Sequence, residues 1–240
     1  MFNKNILTKL NEELKEYFNI ECPLFFRIKD MHDENSISKT IFAILSHRIA
    51  NSDTELQFLY KLFIDVNKKN NLIIECIISD LIFSRNKDLS KPFFADILLF
   101  SPGFCCISLY RFAHHLYKNG ERHLAKFLQL RMIELYNSDI HPNAVIGRNI
   151  LLDHGLNVII GEYCTLGDNI HIMHNVTLGS RTKGGKNRHP IIKSNIFIGC
   201  NTSILGNIII ENDVKIGAGC TVIHSVEKGT TIVGKLAQKV

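Results

Sequence analysis

No uninterrupted apolar run in the 240 residues exceeds seven, against the roughly 18–20 that a membrane-crossing helix requires. A membrane-spanning helix is therefore not expected. The opening Met1-Phe2-Asn3-Lys4-Asn5 lacks an apolar h-region and a small-residue cleavage site, which points to a cytoplasmic location rather than export. A paired-cysteine pattern is missing too. The seven cysteines are an odd number, with no C-x-x-C and no metal-ligand spacing, so reduced thiols are expected rather than a disulfide framework or a zinc site. There is also no basic cluster. Lys and Arg exceed Asp and Glu by 28 to 23 but lie scattered, which suits an anionic ligand and gives no support to a nucleic-acid partner. Tryptophan is absent, and its absence excludes nothing. What remains, 45% hydrophobic and 21% charged, is the composition of a folded globular chain with room for one or two domains.

The chain changes character near residue 138. Before that point apolar residues follow helical spacing: Leu7, Leu10, Leu14, Tyr17 and Phe18; then Ile37, Ile41, Ile44, Leu45 and Ile49; then Leu56, Leu59, Tyr60, Phe63 and Val66. The third stripe follows Ser52-Asp53-Thr54-Glu55, a capping box that satisfies free N–H groups at a helix start. Residues 73–82 are apolar on two faces, as a helix buried between neighbours would be. Pro92 and Pro102-Gly103 break the pattern, and two further helices are predicted over about 104–118 and 121–136. Residues 1–136 are expected to form a helical domain.

From residue 138 onward the period becomes six. Aliphatics lead at Ile140, Ile146 and Leu152, then at Ile160, Leu166, Ile172 and Leu178, then at Ile192, Ile198, Ile204, Ile210, Ile216 and Val222. Glycine often follows the leader, and the residue four places on is mostly small or apolar. A hexapeptide beat of this chemistry is the signature of a parallel β-helix, each hexad one short strand and a corner. Glycine or asparagine at the corners would accept backbone angles that branched residues resist. The expected fold is thus α+β, with helical residues 1–136 followed by a β-helix over 137–240. The beat is interrupted between Leu178 and Ile192 by a basic, glycine-rich loop, and loops on rigid scaffolds are where function concentrates. Titratable residues gather in the early coils: Asp139 and His141, then Asp153-His154.

The runs Asp139-Ile140-His141-Pro142, Leu152-Asp153-His154, Ile160-Gly161-Glu162, Val176-Thr177-Leu178-Gly179, Arg188-His189-Pro190, Ile204-Leu205-Gly206-Asn207 and Ile216-Gly217-Ala218-Gly219 closely resemble the serine O-acetyltransferase family. The likeness extends through Gly103-Phe104 and Tyr110-Arg111 and, more faintly, back to Ser36. It implies a left-handed β-helix with one protruding loop, acetyl transfer from acetyl-CoA to the hydroxyl of L-serine, and feedback inhibition by L-cysteine. It further implies a homotrimer whose helical domains pair two trimers into a hexamer. The shared cofactor groove is implied at Gly179, Lys183, Gly184, Gly185, Gly199, Cys200, Gly217 and Ala218, with Lys186 beside them.

The chemistry agrees with that assignment. Attack by a weakly acidic alcohol on a thioester needs a base that titrates near neutrality, and a carboxylate on the far ring nitrogen to hold the tautomer. His154 is the expected base and Asp139 its partner, since 15 residues separate them, close to one coil of about 18. Asp153 and Asp88 suit the serine ammonium, while Arg188 and His189 suit its carboxylate. No metal is expected. Two departures stand out. Gly155-Leu156-Asn157 occupies the place where the family has Ala-Thr-Gly. The ending Lys235-Leu236-Ala237-Gln238-Lys239-Val240 is short and closes on Val rather than Ile, which speaks against stable docking to O-acetylserine sulfhydrylase. A sugar or polysaccharide hydroxyl as acceptor, a zinc-dependent carbonic anhydrase using His171 and His174, and an inactive scaffold are the competing readings. The three-residue spacing of those histidines is poor for joint ligation on alternating strands.

Overall fold

The structure is a computed structural model and describes residues 4–20, 28–185 and 187–234. Lys186 and the ending at 235–240 lie outside the described residues. The chain divides into two compact units, Met1–Ser101 and Pro102–Val240. The change from helix to strand falls at 137–139 as expected, but the packing boundary comes earlier, because the last two helices belong with the β-helix.

The first unit holds α1 (Lys4–Phe18), α2 (Ile37–Ile49), α3 (Asp53–Lys69), α4 (Leu72–Lys87) and α5 (Phe94–Phe100). The predicted stripes face inward: Leu10, Leu14, Ile41, Ile44, Leu59 and Phe63 are all fully buried. The capping box forms, with Glu55 N donating to Ser52 Oγ at 3.2 Å and Glu55 Oε2 accepting from Asn51 N at 2.7 Å. α5 was not expected from the sequence, since its seven residues are too few to show a period. It is fixed by polar contacts to α1: Ala95 N donates to buried Glu13 at 3.0 Å, and Tyr17 to Asp96. No single helix among the described residues is long and apolar enough to cross a membrane.

Among its described residues the second unit holds α6 (Pro102–Lys118), α7 (Arg122–Tyr136) and fourteen strands of two or three residues. Each strand pairs in parallel with the strand one coil on, giving three sheets: A (β1, β4, β7, β10, β13), B (β2, β5, β8, β11) and C (β3, β6, β9, β12, β14). β1 is Asp139–Ile140, β3 Ile150–Leu152, β6 Ile170–Ile172, β7 Thr177–Gly179, β8 Ile191–Ile192, β9 Ile196–Ile198 and β12 Lys215–Ile216. The result is a left-handed parallel β-helix, a three-sided prism. All thirteen leading aliphatics are buried within it. At about 1.5–3 kcal/mol for each buried side chain, this column is the main source of the prism's cohesion.

Of the two corner residues that the sequence suggested, asparagine takes the left-handed angles and the glycines after the leaders do not. Asn149, Asn169, Asn195 and Asp213 stack on one edge, each amide donating to the next side chain at 2.8–3.0 Å. Asn157, Asn175 and Asn201 form a second ladder at 2.7 and 2.9 Å. The glycines are required by close stacking of coils. A Cβ on Gly147 would lie 2.3 Å from Asp168 Oδ1, and one on Gly199 2.5 Å from the Ala218 nitrogen.

α6 lies against the first coil through backbone hydrogen bonds from its side chains. Tyr110 donates to Ala144 O at 2.6 Å, Arg111 to Ile146 O and Gly147 O at 2.9 and 2.6 Å, and His114 Nδ1 to Pro142 O at 2.8 Å. Tyr110-Arg111 is thus a clamp on the first coil.

Candidate active site

The turn after β3, residues 153–158, carries Asp153-His154 on the prism edge between sheets C and A. His154 has φ 59°. Among the described residues every other non-glycine with positive φ is Asn or Asp, whose short side chains accept that region most readily. A histidine held there is strained backbone, and such strain collects at functional sites. Two contacts enforce it. Gly155, at φ 66°, packs so closely on α6 that a Cβ would lie 2.0 Å from Gly103 Cα. Buried Ser138 donates to Gly155 O at 2.8 Å and accepts from Val158 N at 3.1 Å, tying the neck of the turn to the start of β1.

The departure Gly155-Leu156-Asn157 has a physical account here. Gly155 is the contact with Gly103, and Asn157 takes a left-handed corner at φ 54° while opening the second asparagine ladder.

Around this edge lie three imidazoles and a carboxylate. His154 is 60% exposed and its Nε2 is 4.0 Å from Asp153 Oδ1. His171 Nε2 donates to the other oxygen of Asp153 at 3.1 Å. The His154 ring meets His174 edge-on, centroids 5.2 Å apart. Asp139 opens β1 with its carboxylate accepting from Gln129 of α7. Among the described residues no hydrogen bond joins Asp139 to His154, although Ser138 links their segments. The expected cofactor residues Gly199-Cys200 and Gly217-Ala218 follow β9 and β12, so they stack on the same C/A edge as His154 one coil after another.

A second group occupies the edge between sheets A and B. Arg188 and His189 precede β8. The Arg188 guanidinium donates to Glu162 at 3.1 Å and to Gly185 O at 3.1 Å, and lies over the Tyr163 ring. Burial alone would raise the Glu162 carboxyl, but hydrogen bonds from Arg188 and Tyr163 and the nearby His141 bring it below its ordinary range. Burial, then the Arg188 charge, pushes the His189 imidazole down; burial and Lys126 do the same to His141. Gly161 exists to admit His189: a Cβ there would lie 2.2 Å from its ring. Gly179 closes β7, and Lys183, Gly184 and Gly185 lie on the loop that follows it. Gly184 and Gly185 take φ 80° and 82° with open space where a Cβ would stand, and Lys183 is exposed.

The predicted residues therefore fall into two sets on two edges of one prism. Asp88 belongs to the first unit, where it caps α4 and its carboxylate holds Ser90 and Lys91, the latter at 2.6 Å. Burial pushes its carboxyl up, but Lys91 and Ser90 outweigh that and leave it below the usual range. Sequence reasoning did not pair His171 with Asp153, nor Gln129 with Asp139. The first was accessible, since 18 residues separate them, one coil. The second depends on how α7 packs. No group of three His, Cys, Asp or Glu among the described residues is arranged to hold a metal ion.

Comparison with known proteins bears on the chain as a whole. The family model "Serine acetyltransferase, N-terminal" matches residues 6–108. A serine acetyltransferase of Buchnera aphidicola subsp. Schizaphis graminum is 34% identical over 210 residues, 87% of this chain and 80% of that protein. The crystal structure of Neisseria gonorrhoeae serine acetyltransferase in complex with serine superposes with TM-score 0.89 at 33% identity, over 100% of this chain and 98% of that one. The Brucella abortus serine acetyltransferase in complex with coenzyme A gives TM-score 0.89 at 30% identity, over 98% and 94%. Identity at this level across both units, on a shared fold, places the chain in the serine acetyltransferase family.

Proposed function

We propose that the protein transfers the acetyl group of acetyl-CoA to the hydroxyl of L-serine, with His154 as general base. The observation that carries this reading is the strained His154 turn on the same edge as Gly199-Cys200 and Gly217-Ala218. In this reading an extended pantetheine arm runs along that edge, with the base on the same edge near its reacting end. His154 takes the hydroxyl proton as oxygen attacks the thioester carbonyl, and returns it to the departing sulfur of coenzyme A. Asp139 steadies the imidazolium once the imidazole turns toward it. Asp153 receives the ammonium.

The acceptor carboxylate falls to Arg188 and His189, and their place on a different edge has a structural consequence. One prism cannot close the site alone, whereas the C/A edge of one prism facing the A/B edge of the next completes it. In this reading the assembly is a homotrimer, with Lys183, Gly184 and Gly185 of one subunit reaching the phosphates of a coenzyme whose arm lies along the neighbour. The outward column of sheet B supports association, with Val145 50% and Ile209 37% exposed. The helical unit is proposed to pair trimers into a hexamer.

The test is thiol release from acetyl-CoA across a panel of hydroxyl acceptors. Release with L-serine and not with sugars is expected. Release with sugars alone would overturn the assignment. Light scattering at micromolar protein should give a trimer or its multiple, and a 27 kDa species would refute the shared groove.

A further inference from the structure

Asp153 has one carboxylate oxygen toward each of two imidazoles, and the second of these has no part in the mechanism above. His171 is the outward residue of β6, between buried Ile170 and Ile172. Its Nε2 lies 3.1 Å from Asp153 Oδ2, with side-chain exposures of 22% and 20%. A carboxylate only accepts, so Nε2 carries the proton. The ring cannot swing freely. It stands perpendicular to the Phe197 ring of β9, centroids 5.1 Å apart at 88°, a favourable edge-to-face contact. A rigid strand and an aromatic wall thus hold an N–H at the outer oxygen of Asp153, leaving Oδ1 turned toward His154.

We propose that His171 is a positioning residue that orients Asp153 for the ammonium of the amino-acid acceptor. The proposal rests on the assignment of Asp153 to that ammonium. With the His171 N–H on Oδ2, the carboxylate is held in one orientation before the acceptor arrives, and Oδ1 is presented to the incoming cation. Loss of His171 therefore raises KM for serine and leaves the chemical step unchanged.

The charges that bear on His171 are few. From the turn after β3 come Asp153 and, behind it, His154. β9 presents Phe197 and no titratable group. Lys215 of β12 stands in the same outward column beyond Phe197, two strand spacings or about 10 Å away. On its own side of the prism, His174 lies three residues further on, against His154. Asp153 is thus the nearest charge and the one that His171 answers to.

Two variants test this in the full-length enzyme. His171→Phe keeps a ring against Phe197 but removes the donor; His171→Gln keeps an amide N–H at similar reach. Initial rates would be measured with serine and acetyl-CoA varied separately. His171→Phe is expected to raise KM for serine about tenfold, the effect of losing one charge-assisted hydrogen bond, with kcat and KM for acetyl-CoA within about twofold. His171→Gln is expected to bring KM for serine back to within about twofold of wild type. An unchanged KM in His171→Phe, or a KM in His171→Gln as high as in His171→Phe, overturns the role. If His171→Phe does not fold, His171→Leu, which also lacks the donor, is read in its place. Wild-type enzyme that ignores serine refutes the assignment of the site itself; serine turnover with a wild-type KM in His171→Phe refutes only this role.

Discussion

Replacing Gly155 by Ala should damage both stability and catalysis, and its size can be worked out from two contacts. The residue sits at φ 66°, where an L-side chain costs roughly 1–2 kcal/mol. The added methyl would lie 2.0 Å from Gly103 Cα and 2.3 Å from Gly103 N. Those atoms are helix backbone, which cannot rotate away, so α6 or the 153–158 turn must shift; overpacking of this kind costs about 1–3 kcal/mol. The sum is about 2–5 kcal/mol. Gly184 supplies the control, because it has φ 80° and an added Cβ there would meet nothing within 4 Å, so Gly184→Ala should show the backbone cost alone. Urea denaturation monitored by circular dichroism should place Gly155→Ala well below Gly184→Ala in midpoint. The displaced turn also carries His154, so kcat should fall about tenfold or more in Gly155→Ala, since small misplacements of a reacting group are costly. Equal midpoints for the two variants would refute the argument that the Gly103–Gly155 contact sets the turn.

His154→Ala should lower turnover by about 10²–10⁴-fold, the usual cost of losing a general base, with little change in coenzyme A affinity by calorimetry; Asp139→Asn should cost less, since the imidazole remains. L-cysteine shares the ammonium and carboxylate of serine and brings a thiol that can give its proton to His154, so inhibition series at several fixed serine concentrations should be competitive. Arg188→Ala should then weaken serine and cysteine together, and a selective effect on one would remove Arg188 from the shared carboxylate site. His114, His141 and His189 are held below the ordinary 6.5, each first by burial. Above that value both folded and unfolded chains are neutral there, while below it the unfolded chain takes up protons that the fold resists. Stability should therefore fall as pH drops through about 6.5 and below, and a flat denaturation midpoint between about pH 7 and 5 would contradict the burial of these rings.

The six-residue beat was legible by itself because every sixth side chain of a three-sided coil points inward. The apolar demand of that core writes directly into residues such as Ile198, Ile204 and Ile210. The helical stripes and the Ser52 capping box were legible for the same reason: they are local patterns set by local geometry. His154 could be singled out by residue type and motif, but its left-handed backbone could not, since that conformation is imposed by Gly155 against Gly103, about fifty positions earlier in the chain. The corner glycines were misassigned from sequence for a related reason, because the need is for stacking room between coils and the positive φ angles go to asparagines. Where the first unit ends was also beyond sequence, since α6 is helical by pattern yet belongs with the prism through Tyr110 and Arg111. Only the tertiary structure divided the expected site between two prism edges. Sequence spacing measures position along the coil, whereas the edge a residue occupies depends on how many residues each corner and loop consume, and the insertion before Arg188 changes that count.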